Sequence, residues 1–212
     1  MSVVRIFGVG IGLTAVLTVA TACGSSEKSS PSSSSSMASS TSTTTSTSAA
    51  AATTSTAPPG TAPLGDYTYL LLQANDVGAD ATPSGPAMQN PGGVPGAALT
   101  FFMSPDRARS FDDLVIIFID PATAAQQTQD RGKDLGKYVT GTPQPLDVGT
   151  NGQITVGPSP DKTKAVTYVT YSEGKVGVDL EFDSGPNDPA PLDFVLDVAR
   201  KQDALVKSRL PS

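Results

Sequence analysis

The chain contains no histidine and no tryptophan, and its 212 residues include one cysteine, Cys23. Without histidine it cannot assemble a Ser-His-Asp triad, a Cys-His pair or a His-ligated zinc site. With one cysteine it cannot close an intramolecular disulfide, so its stability must come from packing. Basic side chains are scarce: 14 Lys and Arg stand against 20 Asp and Glu, a net charge of −6. Loss of Arg5 with the N-terminal leader leaves 13 against 20, a net of −7. That balance excludes nucleic acid as a partner, because such binding needs basic patches to displace counterions. It also argues against the domain itself docking on an anionic lipid surface. The glycine-rich stretch Gly92-Gly93-Val94-Pro95-Gly96 lacks the spacing of a phosphate-binding loop. No serine sits in a nucleophile elbow or in a convincing Ser-x-x-Lys arrangement.

Long apolar runs are missing too. The longest uncharged one, Ile6–Ala20, is about 15 residues, short of the roughly 20 that a membrane span needs. It follows a short n-region with one cation, Arg5, and leads to Val19-Ala20-Thr21-Ala22-Cys23-Gly24. This is the layout of an export signal over residues 1–22. The small residues around Cys23 resemble the lipobox of bacterial lipoproteins, with Ala20 where Leu is commonest. The resemblance implies diacylglycerol on the Cys23 thiol and cleavage before it. Two acyl chains hold firmly, at about 0.8 kcal/mol per buried CH₂. The expected location is the outer face of the cell membrane, within the cell envelope. A plain secretory signal with an incidental Cys23 is the alternative.

Residues 23–63 follow Cys23 with Ser, Thr, Ala, Pro and Gly almost throughout, as in Ser32–Ser36 and Ser39–Ser48; Met37 is the one large apolar side chain. Such a segment buries too little to offset its ordering entropy, which predicts a disordered stalk. Forty residues of random coil reach about 35 Å. The Ser/Thr-with-Pro composition also suits O-glycosylation, a bare spacer being the alternative.

Residues 64–212, 149 in number, are enough for a single domain with its own core. Tyr67–Leu72 reads as a short helix or strand that ends by Gly78, and 79–97 as loop. Leu99–Met103 reads as a strand. Asp112–Asp120, carrying Leu114-Val115-Ile116-Ile117-Phe118-Ile119, reads as a central strand buried on both faces. Asp120-Pro121 supplies an N-cap and a first helical residue, which predicts a helix to about Val139. Its inward stripe is Ala124, Ala125, Thr128, Leu135, Tyr138 and Val139, with Gly132 marking close helix–sheet contact. Gln153–Val156, Ala165–Tyr171 and Lys175–Phe182 read as strands, the last two joined in a hairpin by Ser172-Glu173-Gly174. Leu192, Val195, Leu196, Ala199, Val206 and Leu210 share one stripe of a final helix. The fold class expected is α+β: an antiparallel sheet packed by two main helices, preceded by signal peptide and disordered stalk.

Tyr69-Leu70-Leu71-Leu72 with Asp76, Val115–Ile119, Pro121–Gln129, Tyr168–Leu180 and Val195–Leu210 together resemble actinobacterial secreted lipoproteins. These are similar to the extracellular sensor domain of a mycobacterial receptor serine/threonine kinase. Mycobacterial lipoproteins with a PsbP-like fold share the same order of elements. The resemblance spans most of 64–212 and implies a sensor-like α+β domain; it carries no catalytic residue. The kinase domain has paired disulfides, which this chain cannot form.

Several residues are candidates for chemistry. Asp112, Asp113 and Asp120 could do acid–base work or bind metal, although carboxylates flanking a strand more often cap it. Asp183-Ser184-Gly185-Pro186-Asn187-Asp188 offers oxygen ligands but lacks the spacing of a calcium loop, which favours an Asx-type turn. Arg107 and Arg109, with Asp106, could grip an anion or form a solvated loop. Tyr67, Tyr69, Phe101, Phe102, Phe111 and Tyr138 could line a pocket, with core packing as the commoner role. No catalytic, cofactor or metal residue is assigned; Cys23 is the lipidation site. The expectation is a non-enzymatic binding or sensor-like module, with the membrane as partner through its anchor and an envelope protein, glycan or lipid as ligand. A lipid or glycolipid carrier with an apolar cavity is one alternative. A carboxylate-only enzyme, such as a glycosidase, is the other.

Overall fold

A computed structural model of the protein describes residues 60–210. Cys23, the leader and most of the expected stalk lie outside the described residues. The folded part opens with a single 3-10 turn, Thr68–Leu70, and a one-turn helix α1, Ala74–Val77. Two short strands follow, β1 (Thr82–Pro83) and β2 (Met88–Gln89), within the stretch expected to be loop. Next come β3 (Ala97–Met103), β4 (Ser110–Ile117) and helix α2 (Pro121–Lys133). The remainder is β5 (Gln144–Pro145), β6 (Thr150–Pro158), β7 (Ala165–Glu173), β8 (Val176–Ser184) and helix α3 (Leu192–Arg209).

All eight strands form one antiparallel sheet in the order β1-β3-β4-β8-β7-β6-β5, with β2 also paired to β3. Both outermost strands, β1 and β5, are two residues long and contain a proline. That blunts the edges against further pairing.

The two main helices cover opposite faces of the sheet. Strand side chains alternate between faces, so β7 serves both. Val169 and Tyr171 pack with Val195, Val198, Ala199 and Val206 of α3 in the main core. Val166 and Tyr168 turn the other way and pack with Leu135 and Val139 beyond α2. The α3-side core continues through Phe102, Phe111 and Phe182. Their rings lie 5.7 Å (Phe102–Phe111) and 4.7 Å (Phe111–Phe182) apart.

Several elements differ from the sequence reading; β3 and β6 also extend beyond Leu99 and Gln153–Val156. Strand β4 begins at Ser110, so Asp112 and Asp113 lie inside it and cap nothing. Helix α2 ends at Lys133; Gly132, Asp134 and Gly136 weaken the next turn, and a 3-10 turn at Leu135–Lys137 carries Leu135 and Val139 into the core. Strands β7 and β8 pair as far as Glu173 and Val176, leaving a two-residue turn, Gly174-Lys175, with Gly174 at φ +53°. On α3 the buried stripe is Val195, Val198, Ala199, Gln202 and Val206, while Leu192 is exposed. Gly132 does mark close approach: a Cβ there would lie 2.8 Å from Gln153 Oε1.

Candidate functional site

A half-open groove of about 340 Å³ lies where the chain enters the domain. Its walls come from five separate segments: Ala62 and Pro63; Tyr67 and Tyr69; Ile117, Phe118 and Ile119; Lys175; and Leu210. Short backbone bonds bring them together. Ala62 N–H donates to Ile117 O at 2.8 Å, Ile119 N–H to Gly60 O at 2.7 Å, and Phe118 N–H to Lys175 O at 2.8 Å. Residues 60–63, assigned by composition to the stalk, are therefore laid onto the end of β4, with Ala62 in the core. Gly96, at φ +75°, admits this segment: a Cβ there would meet Ile117 O at 2.8 Å and Ala62 N at 3.2 Å. The groove's lining mixes polar and apolar atoms, carries one ammonium group, and leaves Tyr69 and Ile119 45% and 66% exposed.

The tyrosine wall is held from behind by buried polar groups. Asp113, with no exposed surface, accepts the Leu72 N–H at 2.8 Å. Gln202, equally buried on α3, donates to Leu70 O at 2.9 Å. Lys201 reaches Asp76 O at 3.0 Å, and Arg209 donates to Tyr69 O. The Tyr67 hydroxyl donates to Pro63 O at 3.1 Å. Burial pushes the Asp113 carboxyl up to about 7, against the opposing pull of the Leu72 N–H. Near neutral pH it can therefore carry its proton, which lowers the cost of burying it.

A second polar group lies on the opposite face of the sheet. Asp112 and Glu181 are direct partners across β4 and β8. Burial, then the charges of Glu181 and Asp183, push the Asp112 carboxyl up to about 8, with Lys164 pulling the other way. Beside them Arg131 of α2 forms an ion pair with the buried Asp179 at 3.2 Å, and Thr170 donates to Asp179 at 2.7 Å. Arg131 also lies 6.0 Å from the Phe118 ring centre. Gly177 leaves the room for it: a Cβ there would be 2.8 Å from Arg131 Nη2. Tyr138 stacks on Tyr168 at 5.8 Å. Among the described residues, no group of three or more Asp, Glu, His or Cys side chains is arranged to hold a metal ion.

The remaining candidates separate. Asp120 caps α2, accepting from Thr123 N–H at 2.7 Å. Arg107 is exposed in a left-handed turn. Arg109 is bound to Asp188 at 2.7 Å, so the two arginines form no anion grip. Asp106 accepts from Ser104 and Ala108 within its own loop. Asp183 pairs with Lys164, and the following turn closes by Asp188 N–H to Gly185 O. Phe102 and Phe111 are core residues, Phe101 and Tyr138 belong to the α2 face, and only Tyr67 and Tyr69 reach the groove. Lys175, Ile119 and Gln202 carry no local sequence signal; long-range pairing alone brings them to this region.

The fold and groove define an antiparallel α+β domain with a surface cleft at its N-terminal entry, and among the described residues no helix is long and apolar enough to cross a membrane. Among solved structures the chain is similar to the extracellular domain of PknH from Mycobacterium tuberculosis, at 15% identity and a TM-score of 0.41, over 70% of this chain and all of that one. No family model matches the sequence, and no curated protein does.

Proposed function

We propose that the protein is a lipoprotein of the cell envelope, anchored through Cys23, whose domain is a non-enzymatic binding or sensor-like module. The observation that carries the binding reading is the groove at the root of the chain leading back to Cys23. Among the described residues its titratable side chains are Tyr67, Tyr69 and Lys175, and no described carboxylate lines it to serve as a general base. Binding there touches the segment that joins domain to anchor, which suits a module that reports occupancy or holds a ligand near the membrane.

Native mass spectrometry of the protein purified from its own membrane, beside a Cys23→Ala variant, tests the anchor. Diacylglycerol-sized mass on Cys23, absent from the variant, is the expected result. An unmodified Cys23 would make this a freely secreted domain. Further bound lipid would favour a carrier, although the groove is half-open and not an enclosed chamber between sheet and helix.

The Asp112–Glu181 pair supports a second reading, a carboxylate-based glycosidase. Directly opposed strand residues hold their Cβ atoms about 4.5–5.5 Å apart, and retaining glycosidases keep their carboxyls about 5–5.5 Å apart. Release of reducing sugar from envelope polysaccharide, lost in Glu181→Gln, would bring that reading forward.

A further inference from the structure

The groove holds a charge that no carboxylate among the described residues neutralises. Among the described residues, Lys133, Lys164, Lys201 and Lys207 each have a carboxylate partner, as do Arg109 and Arg131. Among the described residues Arg107, Lys137, Lys162, Lys175, Arg200 and Arg209 have none, and of these Lys175 alone lines the groove. Its neighbour Glu173 faces Lys207 at 3.6 Å, and Asp66 is taken up by the Thr68 hydroxyl and N–H. An acidic protein thus presents a locally cationic cleft. The other wall is aromatic, and the contacts of Tyr67 with Pro63 and of Arg209 with the Tyr69 carbonyl hold that wall in place. At about 340 Å³ the space is at the small end of ligand pockets, about 300–1,000 Å³.

We infer that the groove takes one acidic sugar unit, its ring against Tyr67, Tyr69 and Ile119 and its carboxylate at Lys175. This rests on the binding-module reading and adds the ligand class. Tyrosine offers a flat surface with a polar tip at low entropic cost, which suits a ring with an apolar face and a hydroxyl rim. The ammonium supplies a charge-assisted hydrogen bond. The open side lets the unit belong to a longer chain. A neutral acyl tail would leave Lys175 unanswered, and free phosphate would leave the tyrosines uncovered.

The test is an NMR titration of the full-length protein labelled at its five tyrosines and at isoleucine methyls, with glucuronic acid, glucose and inorganic phosphate. Glucuronate should shift the Tyr67, Tyr69 and Ile119 signals saturably, with glucose at least about tenfold weaker, the ratio expected for one charge-assisted contact. Lys175→Gln should bring glucuronate down to the level of glucose, while Lys133→Gln leaves it unchanged. Equal affinity for glucose and glucuronate, or an inert Lys175→Gln, overturns the role of the charge. Phosphate as tight as glucuronate overturns the sugar. No groove shift with any of the three overturns the inference whole; the binding-module reading then stands or falls separately, on whether membrane-purified protein carries another bound molecule.

Discussion

Asp113 of β4 accepts the backbone N–H of Leu72 at 2.8 Å, joining positions 41 apart in the sequence at a point with no solvent exposure. That bond fixes the extended segment between the two tyrosines of the groove and α1. Asp113→Ala leaves the Leu72 N–H buried without an acceptor, at a cost of about 1–3 kcal/mol. Asp113→Asn keeps an acceptor and should cost less. Denaturant unfolding of the two variants at pH 5.5 checks the order; equal loss would mean that an amide oxygen does not stand in for the carboxyl as the acceptor of the Leu72 N–H.

The raised carboxyls of Asp112, about 8, and Asp113, about 7, set a pH dependence. Both lie above the ordinary value of 3.8, so the folded state binds more protons than the unfolded one across that interval. Their contribution is complete below about pH 4 and is lost as pH rises through 7 and 8. Each group contributes a slope of up to about 1.4 kcal/mol per pH unit within its interval. Asp66, Asp106, Asp120 and Asp130, held low by hydrogen bonds, act oppositely: their stabilisation is present above pH 4 or so and fades in acid. Thermal midpoints should therefore fall between pH 5 and 8.5, and fall less in Asp112→Asn and Asp113→Asn. A midpoint that rises over that range would contradict the assignment.

Arg131 and Asp179 form a largely buried ion pair, their side chains 26% and 4% exposed. Arg131→Ala strands the Asp179 carboxylate with Thr170 as its remaining partner and should cost about 3–5 kcal/mol. Combining Arg131→Met with Asp179→Asn should restore most of that loss. A double-mutant cycle by chemical denaturation measures the coupling, and strict additivity would show the pair to be incidental.

Two glycines give a steric contrast. A Cβ at Gly157 would lie 2.2 Å from the Thr140 carbonyl oxygen, whereas one at Gly136 meets nothing within 4 Å. Gly157→Ala forces backbone apart and should destabilise by about 1–3 kcal/mol. Gly136→Ala should be neutral or stabilising by up to about 1 kcal/mol, through a stiffer unfolded chain. Melting curves of both variants, measured together, decide it.

Much of the secondary structure was legible because its causes are local. The apolar run around Val115 could only be an inner strand, Asp120-Pro121 could only open a helix, and α3 declares itself by its spacing. Asp112 and Asp113 were misread for an equally local reason. Ser110 and Phe111 give little strand signal by themselves, so β4 seemed to start two residues late and the carboxylates seemed to stand outside it. Once they are inside, the two-residue period of a strand sends them to opposite faces. One opposes Glu181; the other catches Leu72.

By itself, then, the sequence determined the longer strands and the two main helices, the α+β class and the chemistry that is absent, since composition and short-range periodicity decide these. The tertiary structure decided that α2 and α3 cover opposite faces, that Gln202 is a core residue, and that Ala62, Tyr69, Ile119, Lys175 and Leu210 share one groove. Those residues are separated by up to 148 positions. Nothing in their neighbourhoods marks them, because antiparallel pairing of distant strands and the docking of α3 set their proximity.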